Sequence, residues 1–114
     1  MRKILLVDND ITFIWGLKKY LQRRGYAVET AATLTEAREM IKQEAPLLIC
    51  SDLCLPDGSG LELLAEVRTC NKDTPFIIAS CYEKDDYEQE ALQHGVTICM
   101  DKIKSALLKD KLVE

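Results

Sequence analysis

The stretch at residues 46–60, PLLICSDLCLPDGSG, contains a carboxylate that could act as a nucleophile. Its apolar residues 47–50 are typical of a strand buried on both faces of a parallel sheet, and Asp52 follows closely. The carboxyl end of such a strand opens into the crevice where open α/β sheets bind ligands. A flexible Asp57-Gly58 pair is expected to reverse the chain after it. The pattern therefore predicts a reactive carboxylate at Asp52, presented on a rigid strand beside a shaped loop.

Polar residues also follow the other apolar runs of the chain. They are Asp8 and Asn9 after residues 4–7, Ser80 after residues 76–79, and Lys102 after residues 96–100. If these runs are parallel strands of one sheet, their carboxyl ends share an edge. The sequence therefore predicts one polar pocket, built from positions that are far apart along the chain.

The elements that must position this pocket alternate strictly between strands and helices. Predicted strands cover residues 4–7, 26–31, 47–50, 76–79 and 96–100. Predicted helices cover residues 11–24, 33–45, a stretch that starts after Ser59, 83–94 and 105–112. Strict alternation with short connections requires parallel strands joined by right-handed crossovers. We therefore predict an α/β fold, a doubly wound five-stranded parallel sheet with helices on both faces.

Several residue patterns mark the helices in more detail. Asp10 is the expected N-cap of the first helix, and Thr33 and Ser59 each precede a Glu at the spacing of a capping box. Along the first helix, apolar residues recur at helical spacing at Ile11, Ile14, Trp15, Leu17 and Leu21. Gly16 lies inside that helix, where Gly costs on the order of 1 kcal/mol relative to Ala. That cost predicts a close approach of another element to Gly16.

Composition argues against several classes of protein. The net charge of -4, with basic residues spread among acidic ones, predicts no direct binding of nucleic acid. Five cysteines at positions 50, 54, 70, 81 and 99, without a C-x-x-C pair, favour reduced, mostly buried thiols over disulfides or a zinc site. No apolar stretch approaches the length of a membrane span, and no secretion signal is recognisable. We therefore predict a cytoplasmic protein that forms one domain over residues 1–114.

The motifs together resemble the receiver domain of two-component response regulators along the whole chain. They are the acidic position after the first strand, D-x-x-L-P-x-x-x-G from Asp52 to Gly60, a hydroxyl after the fourth strand at Ser80, and G-x(6)-K from Gly95 to Lys102. The resemblance implies a flavodoxin-like fold with strand order 2-1-3-4-5, in which the first and third strands are neighbours. On this topology Asp8, Asn9 and Asp52 line one pocket, flanked by Ser80 and Lys102.

The resemblance also implies a function. Asp52 is expected to accept a phosphoryl group from a phosphohistidine on a sensor histidine kinase or a phosphotransfer protein, with Mg²⁺ offsetting the charges. The expected metal ligands are Asp8, Asn9, Asp52 and the backbone carbonyl of Cys54. Lys102 and Ser80 are the expected catalytic partners of the phosphoryl oxygens. Such a protein catalyses only its own phosphorylation and dephosphorylation, and it signals through the face formed by helix 4, strand 5 and helix 5, where a homodimer could also form.

Three positions depart from the family pattern. Asn9 replaces the usual second acid, so weaker Mg²⁺ affinity is expected. Cys99 replaces the aromatic residue that works with the hydroxyl at Ser80 as the switch, and Ile103 replaces the proline that usually follows the lysine. The last helix also ends shortly before the chain does, which is typical of a domain trimmed from a longer chain or of a receiver that stands alone.

Two further positions, Cys54 and Tyr82, stand where the family tunes the hydrolysis of the phosphoryl group. A thiol and a phenol ring at the entrance of the pocket admit less water than polar side chains would. Slow hydrolysis of the phosphoryl group is therefore expected. The alternative interpretation is a degenerate receiver that binds partners without being phosphorylated, which Asn9, Cys99 and Ile103 favour. A small flavin or nucleotide carrier of similar topology is disfavoured because no Gly-rich phosphate loop follows the first strand.

Overall fold

Five parallel strands form the centre of the computed structural model, which describes residues 2–82 and 84–102. The strands are β1 (Ile4–Val7), β2 (Val28–Ala31), β3 (Leu48–Asp52), β4 (Phe76–Ser80) and β5 (Ile98–Asp101). They are hydrogen-bonded in the order β2-β1-β3-β4-β5, and every pair is parallel. The predicted doubly wound, flavodoxin-like sheet and its strand order are confirmed.

Helices alternate with these strands. They are α1 (Ile11–Arg23), α2 (Leu34–Gln43), α3 (Gly60–Cys70) and α4 (Glu88–Gln93), and a short 3-10 turn at Lys84–Asp86 precedes α4. The prediction of one continuous helix over residues 83–94 is wrong. The buried Tyr87 separates the turn from α4 and makes no side-chain capping bond, and Asp is a poor residue for a helix interior. The fifth predicted helix, residues 105–112, and Ile103 lie outside the described residues.

The sheet is buried on both faces. Because successive side chains of a strand point to opposite sides, Leu5 and Val7 of β1 pack in the core beneath α2, α3 and α4, whereas Ile4 and Leu6 pack beneath α1. All four side chains are almost completely buried. This double burial explains why the strands read as continuous apolar runs rather than as alternating ones.

The expected helix caps are present. The Asp10 carboxylate accepts a hydrogen bond from the Phe13 N–H at 3.1 Å and so caps α1. Ser59 and Glu62 form a reciprocal capping box at the start of α3, and the Thr33 hydroxyl accepts from the third N–H of α2. These local signals set where three of the helices begin, and hence which loops surround the carboxyl edge of the sheet.

Helix α1 differs from its prediction in two ways. Leu17 and Leu21 are buried, but Ile11 and Trp15 are 83% and 65% exposed, so the apolar face continues into solvent at the first turns of the helix. Among the residues that the structure describes, none would have an atom within 4 Å of a Cβ added to Gly16. The described residues therefore do not support the expected close approach at Gly16.

The cysteines are more exposed than predicted. Cys50 and Cys99 are buried, whereas Cys54, Cys70 and Cys81 are exposed at loops and at a helix end. None of the five, all of which lie in the described ranges, forms a disulfide. The prediction of mostly buried thiols is wrong. In the same ranges, no helix combines the length and the apolar composition that crossing a membrane requires.

Candidate functional site

The register of the sheet brings the polar strand ends to one level. Val7 of β1 lies opposite Ser51 of β3, so the residues that follow them, Asp8 and Asp52, emerge side by side. On the other side of β3, Asp52 lies opposite Ala79, which directly precedes Ser80. The last residue of β5 lies opposite Ser80 and is followed by Lys102. The strand pairing alone therefore places the predicted polar residues at one edge of the sheet.

A single ammonium group joins two of the strand ends. Lys102 Nζ lies 2.7 Å from Asp8 Oδ2 and 3.3 Å from Asp52 Oδ2. The Lys102, Asp8 and Asp52 side chains are only 8%, 2% and 14% exposed. Lys102 Nζ also lies 4.8 Å from the centre of the Phe13 ring, in the range of a cation–π contact. One positive charge thus stabilises two nearby carboxylates that would otherwise repel each other.

Burial and charge pull the ionisation of this cluster in opposite directions. Burial raises the pKa of the Asp8 carboxyl, and the hydrogen bond from Lys102 and the bond from the Asp10 N–H only partly offset it. Burial lowers the pKa of Lys102, but the hydrogen bond and the charge of Asp8, together with the charge of Asp52, outweigh it and raise the pKa overall. The ammonium therefore stays charged at neutral pH, and its counter-charge is shared by two acids.

Backbone groups fix both carboxylates. The Asp10 N–H donates to Asp8 Oδ1 at 2.9 Å, and the Leu53 N–H donates to Asp52 Oδ1 at 2.8 Å. Each carboxylate thus has one oxygen held by the main chain and the other directed toward Lys102. Asp10 uses its own side chain as the cap of α1.

The loop after Asp52 is a tight hairpin, which we call the 54–59 hairpin. Cys54–Leu55 pairs antiparallel with Gly58–Ser59. The hairpin ends at Gly60, whose N–H donates to the Leu53 carbonyl at 2.8 Å. A Cβ at Gly60 would collide with the Asp52 carbonyl oxygen, so glycine is required for this close approach to the end of β3.

The Asp57-Gly58 pair lies where the chain reverses, as predicted, and Asp57 is tied to α2. Its Oδ1 accepts from the Leu34 N–H at 2.8 Å, and its Oδ2 accepts from the Thr35 N–H at 3.1 Å and the Thr35 hydroxyl at 2.9 Å. These bonds, the one from Leu34 most of all, lower the pKa of Asp57. Sequence reasoning missed this link because the partners lie 22 and 23 residues away and share no local motif.

The remaining predicted site residues lie around the pocket or beneath it. Ser80 is completely buried, and its Oγ accepts from the Tyr82 N–H at 3.1 Å. Tyr82 is exposed, and its hydroxyl contacts the exposed Cys54 thiol, a hydrogen bond that raises the pKa of Tyr82. Asn9 is exposed beside Asp8 and lines a cavity with it.

Cys99 lies away from the acidic cluster, in the core beneath α4. It is 7% exposed and shares that core with the ring of Tyr87, which precedes α4 and is 6% exposed. Burial, followed by the nearby Cys99, raises the pKa of Tyr87 to about 12. Sequence reasoning noted the missing aromatic at Cys99 but not that Tyr87 brings a ring into the same cluster from the helix side.

The oxygen atoms at this edge fit a divalent cation of the hard type. Asp8, Asn9 and Asp52 offer carboxylate and amide oxygens, and Mg²⁺ is bound in proteins by one or two carboxylates while it keeps several waters. Within the described ranges, no cluster of three or more His, Cys, Asp or Glu side chains is placed to bind a metal ion. A site with two carboxylates and an amide therefore suits a cation that keeps some of its water ligands, rather than one bound only by protein atoms.

Comparison with known proteins decides the family. The family profile of the response regulator receiver domain matches residues 4–112. The chain belongs to this family. The photosynthetic apparatus regulatory protein RegA of Rhodobacter capsulatus is 29% identical over 101 residues, which cover 89% of this chain and 55% of that protein. The receiver thus spans about half the length of such relatives.

Two solved receiver structures share the fold. A response regulator from Burkholderia pseudomallei with a phosphorylated aspartic acid, a calcium ion and citrate is 28% identical, with a TM-score of 0.83 over 94% of this chain and 65% of that one. The beryllofluoride-activated NtrC4 receiver domain dimer is 27% identical, with a TM-score of 0.85 over 97% of this chain and 94% of that one. This receiver is therefore a signalling domain of the two-component type.

Proposed function

We propose that this receiver accepts a phosphoryl group on Asp52 from a phosphohistidine and that the charge change acts as its switch. The observation that carries the proposal is the position of the Lys102 ammonium, 2.7 Å from Asp8 and 3.3 Å from Asp52. A cation between two carboxylates suits the arrival of an anion, because it can move from a carboxylate to a phosphoryl oxygen without leaving the pocket.

The chemical step needs one nucleophile. A carboxylate oxygen of Asp52 forms a bond to phosphorus while the P–N bond to the donor imidazole breaks. The imidazole leaves with the electron pair of that bond and takes up a proton. Lys102 pairs with one phosphoryl oxygen, and the Ser80 hydroxyl, one strand away, donates to another.

Asp8, Asn9, Asp52 and the backbone carbonyl of Cys54 would hold Mg²⁺. The metal supplies charge neutralisation between the carboxylate and the incoming anion. Asn9 contributes an amide in place of a second acid, so this chain supplies one negative charge fewer to the metal than its family does. The Burkholderia structure, which contains a phosphorylated aspartic acid and a calcium ion, supports a divalent cation as a partner of this fold.

The first turns of α1 offer a surface for the phosphoryl donor. Ile11 and Trp15 are 83% and 65% exposed, and they line a cavity of about 320 Å³ together with Asp8 and Asn9. An exposed apolar pair next to Asp8 and Asn9 is suited to a protein donor, a sensor histidine kinase or a phosphotransfer protein, because burying it gains free energy. No direct binding of nucleic acid by this domain is expected.

The output surface would include α4 and β5. Ser80 and Cys99 are the switch positions, and Cys99 packs in the same core as Ala91, the buried residue of α4. The activated NtrC4 receiver dimer supports a homodimer as one form of output, here through the face that α4 and β5 share with the predicted fifth helix. We place the protein in the cytoplasm, where its donor kinase would act.

The test is phosphorylation by acetyl phosphate and Mg²⁺, followed by intact mass. We expect a single phosphoryl adduct on the wild-type protein and none on Asp52→Asn, in which the amide is a poor nucleophile. Asp73→Asn is a matched control, because it changes an exposed acid that precedes β4, at the opposite end of this strand from Ser80. An unmodified wild-type protein, or an adduct that persists in Asp52→Asn, would contradict the proposal and favour the degenerate receiver.

A further inference from the structure

We infer that Asp57 is a positioning residue that clamps the 54–59 hairpin to α2 and so sets the position of the Cys54 carbonyl for the metal. The inference rests on the proposed function, because it assigns a support to the same site. It goes beyond that function, because Asp57 is neither a proposed metal ligand nor a proposed partner of the phosphoryl group.

The bonds of Asp57 point to a specific joint between two elements. The first turn of a helix has N–H groups without partners inside the helix. In α2 the first two of these, on Leu34 and Thr35, donate to Asp57, and the third, on Glu36, donates to Thr33. The helix therefore has two separate caps, a local one from Thr33 and a distant one from the hairpin.

Apolar packing reinforces the same joint. Leu34 is completely buried, and an added Cβ at Gly58 would lie only 2.5 Å from its Cδ1 atom. Leu55, on the other strand of the hairpin, is 8% exposed in the same core. The hairpin is thus held on α2 by a carboxylate on one side and by close packing on the other.

The contact between the hairpin and α2 affects the metal site because the hairpin contains the proposed ligand, the Cys54 carbonyl. Cys54 opens the hairpin, and the Asp57 turn lies three residues further on. The chain is also fixed at Leu53, whose N–H donates to Asp52 and whose carbonyl accepts from Gly60. The Cys54 carbonyl therefore sits between two anchors, and Asp57 is the anchor outside the pocket. Groups that orient metal ligands without touching the metal typically change its affinity by roughly 10- to 100-fold when removed.

The experiment compares Asp57→Ala with Thr33→Ala. Both remove a cap from the same end of α2, but only the first releases the hairpin. Mg²⁺ binding is followed through the fluorescence of Trp15, the only tryptophan, which lines the cavity beside Asp8. We expect roughly tenfold weaker Mg²⁺ binding in Asp57→Ala, an intermediate value in Asp57→Asn, which keeps one acceptor oxygen, and the wild-type value in Thr33→Ala.

Amide hydrogen exchange of the metal-free proteins tests the clamp independently of phosphorylation. We expect faster exchange in residues 53–60 for Asp57→Ala only, and faster exchange in the first turn of α2 for both variants. Unchanged exchange in the hairpin, equal loss of Mg²⁺ affinity in both variants, or faster exchange with unchanged affinity would each overturn the inference. A wild-type protein that accepts no phosphoryl group would contradict the proposed function, and the exchange result would still decide the clamp.

Discussion

Replacing Lys102 with Met tests the electrostatics of the pocket most directly. The variant keeps a side chain of similar length but leaves the Asp8 carboxylate, which is 2% exposed, without its ion-pair partner. Removing one partner of a buried ion pair costs about 3–5 kcal/mol. Protonating Asp8 is the alternative, and from its ordinary pKa of 3.8 this costs about 4 kcal/mol at about pH 7. We therefore expect a loss of about 3–4 kcal/mol in the free energy of unfolding at neutral pH.

The pH dependence of that loss follows from Asp8. Its pKa in the folded protein is raised, so folding favours the protonated carboxyl, and this contribution is complete below 3.8 and is lost as the pH rises through the folded value. The Lys102→Met change removes interactions that lower the pKa of Asp8, so the pKa rises further and the loss extends to higher pH. The variant should therefore approach wild-type stability near about pH 4 and fall away from it toward about pH 7.5.

Urea denaturation with EDTA across this pH range measures the effect. Lys3→Met is the control, because the pair between Lys3 and Glu29 spans 3.5 Å with both side chains about 40% exposed, and such pairs contribute less than about 1 kcal/mol. A loss in Lys102→Met that is as large near about pH 4 as near about pH 7.5, or no larger than in Lys3→Met, would refute the reasoning.

Three further outcomes are expected. Gly16→Ala should raise the free energy of unfolding by about 0.5–1 kcal/mol in urea denaturation, because a methyl group there meets no atom of the residues that the structure describes, and a loss of stability would contradict this. Asn9→Asp should tighten Mg²⁺ binding in a fluorescence titration by restoring a negative charge, and an unchanged affinity would count against the charge argument. Tyr82→Ala should shorten the half-life of the phosphorylated protein by opening the entrance of the pocket to water, and an unchanged half-life would contradict the hypothesis that Tyr82 restricts hydrolysis.

The sheet and the meeting of Asp8, Asp52 and Lys102 could be predicted from the sequence. Apolar runs identify strands that are buried on both faces, and the alternation with helices fixes their parallel direction. Once the strands are parallel, residues that follow them must share one edge. The order of the strands came from the resemblance, since periodicity does not say which strands are neighbours. The roles of the site residues and the single domain over residues 1–114 remain predictions.

The contacts between elements could not be predicted in the same way. The periodicity of α1 shows that Ile11 and Trp15 share a face with buried residues, but it does not show where the sheet beneath that face ends. Asp57 belongs to a turn by its local sequence, and only the packing of the hairpin against α2 brings it to a helix end. Lys102 was expected to pair with a phosphoryl oxygen, and sequence spacing did not show that its ammonium group also lies between Asp8 and Asp52.

The reactivity of the buried thiols can be used to measure the rate of unfolding. An alkylating reagent such as iodoacetamide meets three accessible cysteines in the native chain and all five once it opens. The two protected positions lie on opposite faces of the sheet, and burial raises the pKa of Cys50 to about 12, which suppresses its reaction further while the fold persists. Locating the adducts over time by peptide mass spectrometry would therefore report how often each face of the sheet becomes exposed.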